Sequence, residues 1–226
     1  MTSKGRQGGG RASRAPERGV IVLAGEDRND CEILAALIRA HRPDLGAAAK
    51  LVRINDPVRL RRKSGPVLTA AVGALVGKAR AKERQQQAEL LGFVVHEDLD
   101  GYTDAQYDRI RNTLTAEFAR QSPQSRTALA LAAWESEGWL LLFPDAFPHV
   151  RPRWKVPAPL LDKDTGRVKG TKEELKLGLG LPVFRKSDGP AVARVRAPVF
   201  LSPCRSPTAP LWFLVWDLCE DEDARR

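Results

Sequence analysis

A chain of 226 residues, 42% of them hydrophobic, is long enough to bury one substantial core without covalent staples. Its three cysteines, Cys31, Cys204 and Cys219, are odd in number, far apart and without a CxxC pair, which argues against a disulfide framework, a zinc site or a redox motif. No apolar run approaches the roughly 18 residues of a membrane span, and the N-terminus is hydrophilic, so no membrane association and a cytoplasmic location are expected. The net charge of +9 is unevenly spread: residues 1–19 carry +4 and residues 50–84 carry +8, leaving the remainder net acidic. A basic surface beside acidic residues suits a polyanion approaching a cation site, although a solvated helix face in an arginine-rich chain has the same composition.

Residues 1–18, rich in Gly, Ser and Arg, read as a disordered basic tail. GVIVLAG at 19–25 is a short apolar run of the kind buried on both faces of a parallel sheet. EDRND follows, and then a helix in which Ile33, Leu34, Leu37 and Ile38 repeat at helical spacing. KLVRIND at 50–56 is expected to form a second strand, and 67–91 a long helix that becomes charged after Gly77. A third strand at about 90–96 runs into HEDLDG, and a capping box from Thr103 to Gln106 marks the start of the next helix. Residues 127–147 read as a strand entering a helix that carries Glu135, Glu137 and Trp139.

Strand and helix patterns therefore alternate, which predicts an α/β fold with a mostly parallel central sheet flanked by helices over 19–146. From Pro144 the texture becomes proline-rich. Residues 147–220 are expected to form a helical and irregular extension, with short helices near 171–177 and 188–196 and a last one near 207–219, before a solvated tail at 221–226.

Ligands of open parallel sheets gather beyond the carboxyl ends of the strands, and both apolar strands end in acids here. Glu26 follows the first strand, Asp30 lies four residues on, and Asp98 and Asp100 follow GFVVH one residue apart. In an extended segment two such aspartates point to the same side, and with a glutamate from the neighbouring strand they form a hard-oxygen set suited to Mg²⁺ or Mn²⁺. Two readings stand for each acid. Asp27, Asn29 and Asp30 also suit a helix cap, and Asp98 and Asp100 also suit an ordinary Asp-Gly turn.

VIVLAGEDRNDCEIL and GFVVHEDLDG together resemble the TOPRIM superfamily, whose members place a glutamate after the first strand and D-x-D after a later one. The resemblance is nearest to small TOPRIM-like proteins related to OLD-type nucleases and found in bacterial anti-phage loci, echoed also by EGWLLLFPDAF and KGTKEELK. It implies a Rossmann-like TOPRIM domain with a Mg²⁺-dependent phosphoryl-transfer site. Asp98 and Asp100 would bind metal, and Glu26 would bind metal or act as general acid/base. Glu137 is either a further ligand or a helix residue beside Trp139, and Lys169 and Lys172 are either phosphate contacts or a solvated face. The glycine of the first motif stands at position 25, before the glutamate, with Asp27 after it.

Other motifs fail. GALVGKAR has three residues between its glycines, where a P-loop has four, and Ala79 in place of the Ser or Thr that reaches Mg²⁺. His41, His96 and His149 lack metal-ligand spacing, and no G-x-S-x-G or Cys/His pair suggests a covalent nucleophile. A topoisomerase or a bacterial primase needs more chain than this. The expectation is a metal-dependent nuclease acting on DNA or RNA, with Arg59, Arg61, Arg62 and Lys63 orienting the strand and an ATPase partner in trans. The alternative is a catalytically weak TOPRIM-like nucleic-acid-binding or regulatory subunit. A helix-capped α/β protein without such a site is the plainest reading, and self-association is left open.

Overall fold

The computed structural model describes residues 19–56 and 58–195. Four strands, β1 (Gly19–Ala24), β2 (Ala49–Arg53), β3 (Leu90–Asp98) and β4 (Arg126–Ala132), form one sheet in the order β2-β1-β3-β4. Every pairing is parallel. Between them run α1 (Arg28–His41), α2 (Pro43–Ala48), α3 (Gly65–Gln86) and α4 (Ala105–Gln121). The expected α/β class and flanked parallel sheet are therefore present. Among the described residues no helix is long and apolar enough to cross a membrane.

The strands read as apolar runs because both faces are covered. Alternate residues divide between two cores. Val20, Val22, Phe93, Val95, Leu129 and Leu131 pack with α3 and α4. Ile21, Leu23, Val94, Ala128, Ala130 and Ala132 pack with α1 and the segment beyond β4. That segment begins as a 3₁₀ turn, Ser136–Leu142, and continues through α5 (Ala146–Val150), α6 (Thr171–Gly178) and α7 (Gly189–Val195). Its Trp139, Phe147, Trp154, Phe184 and Val192 share one core with α1, so the described part of the proline-rich region packs directly on the sheet layer. The alanines on that face of β4 leave room for these large side chains.

Several boundaries differ from expectation for local reasons. The long helix stops at Gln86 because Gln87 adopts a left-handed conformation (φ 51°), and its backbone N–H donates to the Arg84 and Glu83 carbonyls. The α4 cap is Asp104, one residue after the expected Thr103: its carboxylate accepts from the Gln106 and Tyr107 amides at 2.8 and 3.2 Å. Glu135 stands just outside the 3₁₀ turn, where the expected helix would have contained it. The terminal tails and the helix expected near 207–219 lie outside the described residues.

Candidate functional site

The connections from β1 to β2 and from β3 to β4 leave in opposite directions, so the crevice between the carboxyl ends of β1 and β3 is the sheet's switch point. Glu26 follows β1, and Asp98 ends β3, opposite Ala132 of β4. Beyond Asp98 the chain stays bound to β4, with the Leu99 and Gly101 amides donating to the Ala132 and Ala133 carbonyls at 2.9 and 2.7 Å. Asp100, however, adopts a left-handed conformation (φ 49°). The expected extended D-x-D geometry therefore ends at Asp98, and the two aspartates are not aligned by strand alternation. Asp100 turns instead to an ion pair with Arg61.

A loop between β2 and α3 lies over these acids. Arg59 reaches Glu26 at 3.5 Å, and Arg61, besides pairing with Asp100, donates to the Asp98 carbonyl at 3.1 Å. Glu97 holds this loop in place. Buried on the opposite strand face from Asp98, it accepts from the backbone amides of Leu60 at 2.6 Å and Arg61 at 3.3 Å. Burial pushes its carboxyl above the ordinary glutamate value, against those hydrogen bonds and with a contribution from nearby Glu26.

The other two predicted acids belong to a second cluster. Asp30 is fully buried and serves two roles at once. It closes the capping box of α1, accepting from the Asp27 amide at 3.0 Å while Asp27 caps the Asn29 and Asp30 amides. Its other oxygen accepts from the Ser136 hydroxyl at 2.8 Å. Lys186, from the segment before α7, lies 2.7 Å from Asp27 Oδ2 and 3.3 Å from Asp30 Oδ1. Burial opposes the Lys186 charge, but Asp27, Asp30 and Glu137 together raise its pKa. Glu137 is buried, and burial raises its carboxyl pKa despite Lys186, leaving Oε1 without a hydrogen-bond partner.

His96 joins the two groups. It is buried, edge-on to Trp139, with Nε2 3.2 Å from Asp98 Oδ1 and Nδ1 3.9 Å from Asp30 Oδ2. Neither approach has hydrogen-bond geometry, so both ring nitrogens and Asp98 Oδ1 are buried without such a partner. Burial alone would lower the imidazole pKa, but the flanking carboxylates raise it.

Glu26, Asp98 and Asp100 thus follow the ends of the adjacent strands β1 and β3, with Glu26 and Asp100 held by the arginine loop and the Asp98 carboxylate against His96, whereas Asp30 and Glu137 sit with Lys186 beyond His96. The oxygen donors match a hard cation in kind, and the unpartnered oxygens of Asp98 and Glu137 are what a cation satisfies. Their spacing does not match: among the described residues, no three His, Cys, Asp or Glu side chains gather closely enough to hold a metal ion. Of the predicted cations, Arg59 and Arg61 reach the acids, and Arg62 and Lys63 line the adjoining cleft. Lys169 lies 5.5 Å from the ring centre of Trp134, which also packs edge-on against Tyr102. Lys172 meets this region through its backbone, donating to Glu135 at 2.9 Å.

Asp27 was expected as a helix cap and is one, whereas Glu97, Ser136 and Lys186 were not singled out from the sequence. Alternation in HED gave a signal for Glu97, since it must face away from its neighbours in a doubly covered strand. Lys186 gave none, being more than 150 residues from Asp27 and Asp30. Comparison of the chain with protein-family models, curated proteins and solved structures finds no match.

Proposed function

We propose that the protein is a nuclease that hydrolyses phosphodiester bonds of DNA or RNA with Mg²⁺ or Mn²⁺. The observation that carries this reading is the placing of Glu26 and Asp98 at the ends of adjacent parallel strands, under arginines from a basic loop. Glu26, Asp98 and Asp100 would hold the cation only once Arg59 and Arg61 release their carboxylate partners and the acids draw together, and it would then supply polarisation of the scissile phosphate and a more acidic attacking water. Arg59 and Arg61 exchange carboxylate partners for phosphate oxygens, a geometry guanidinium forks suit. That exchange frees Glu26 and Asp100, and Glu97 keeps the loop tethered at Leu60 and Arg61 while it occurs.

Plasmid, linear DNA and RNA are incubated with the full chain and either cation, beside Glu26→Gln and Asp98→Asn. Cleavage by the wild type and its loss in both variants is expected; cleavage undiminished in both would sink the assignment. A second reading, a nucleic-acid-binding or regulatory subunit with little activity, is favoured by the carboxylates being held by arginines rather than grouped in threes. It predicts salt-sensitive binding without cleavage, the apparent affinity falling as counterions compete for phosphate contacts.

A further inference from the structure

Beside the acids, between the β2–α3 loop and α4, lies a cleft of about 470 Å³, within the range of small-ligand sites. Its two sides differ in chemistry. Leu60, Leu68, Leu99, Ile110 and Leu114 supply an apolar floor, and Arg61, Arg62, Lys63 and Arg109 supply cations at the rim. Of the two acids lining it, Glu97 is occupied by backbone amides and Asp100 by Arg61. No ion pair among the described residues engages Arg62, Lys63 or Arg109, and exposed Gln106 and Thr113 add neutral hydrogen-bonding groups. The backbone is also held in an uncommon form on both sides, with Arg62 at φ 60° and Asp100 at φ 49°. Non-glycine residues in this region cost energy and persist where surrounding structure enforces them.

An inorganic anion would use the rim and leave the leucine floor idle, whereas an apolar ligand would leave three cations without partners. We propose that this cleft binds one nucleotide unit, its 5′-phosphate on Arg62, Lys63 and Arg109 and its base and sugar against Leu99 and Ile110. Arg61 lines the cleft and also meets Asp100 and the Asp98 carbonyl, so the occupied cleft adjoins the carboxyl end of β3. The ligand class rests on the phosphodiester reading above, but the cleft binds without metal and without catalysis.

Equilibrium dialysis of the full chain against radiolabelled 5′-AMP in EDTA tests this, with adenosine and inorganic phosphate as competitors. AMP binds, both competitors are much weaker, and Arg62→Ala and Arg109→Ala each reduce affinity about tenfold, the effect of one charge-assisted contact. Both side chains are exposed, so unchanged thermal melts are expected to accompany that loss. No AMP binding, competition by phosphate or adenosine as strong as by AMP, or affinity unmoved in both variants overturns the proposal. Cleavage measured in parallel with Mg²⁺ separates the two readings. AMP binding without cleavage keeps the cleft and removes the nuclease, whereas cleavage without AMP binding removes the cleft alone.

Discussion

Glu97 and Cys31 show how burial sets the behaviour of single side chains around the crevice. The Glu97 carboxyl titrates above its ordinary value in the folded chain, so folding favours its protonated form. Its contribution to stability is therefore greatest below the unfolded glutamate pKa and declines as pH rises through the raised value. Urea denaturation of wild type and Glu97→Gln across pH 4–8 should show the wild type's relative advantage shrinking in that direction, in steps of about 1.4 kcal/mol per pKa unit. An advantage that grows with pH would contradict the burial of this carboxylate. Cys31 is buried against the Leu23 carbonyl, and burial, reinforced by Asp30, pushes its thiol up to about 12. Little thiolate exists near neutrality, so peptide mapping after iodoacetamide at pH 8 should find Cys31 unmodified until denaturant is added.

At the scale of elements, the helix starts decide where functional side chains point. Asp104 carries the α4 cap, so Asp104→Ala should cost about 1 kcal/mol in denaturation experiments and Thr103→Ala much less. Equal losses would restore Thr103 as the cap. The start of α1 is more constrained, because a Cβ on Gly25 would lie 3.1 Å from Cys31 Sγ and 3.2 Å from Asp30 Cβ. That close approach explains a glycine before Glu26: it lets the capping box and buried Asp30 sit against the end of β1. The GED order was legible as a motif, but its reason, contact with the first turn of α1, was not.

For the whole molecule, the long proline-rich segment returns to the sheet and supplies both packing and charge. Trp154 is fully buried, packs at a tilt against Phe184 with ring centres 5.7 Å apart and donates to the Pro182 carbonyl at 2.6 Å. Trp154→Ala should therefore lower stability by about 3–5 kcal/mol, read as a shift of the urea midpoint. Lys186 closes the same segment onto the start of α1, and Lys186→Met leaves buried Asp30 and Glu137 without their cation. A loss of about 2 kcal/mol or more is expected near neutral pH. It should diminish on acidification as Glu137, whose carboxyl pKa burial raises, takes up a proton, and a pH-independent loss would assign Lys186 to packing alone. The α/β class, the strands, α1 and the acids at the strand ends were readable in the sequence, because periodicity of burial and the chemistry of strand ends are local properties. Local sequence could not show that Asp100 turns to Arg61, that Glu97 anchors the loop, or that Asp30 and Glu137 gather around Lys186. Those arrangements depend on burial and on charges far apart in the chain, so only the tertiary structure divided the acids of the proposed metal site between two clusters.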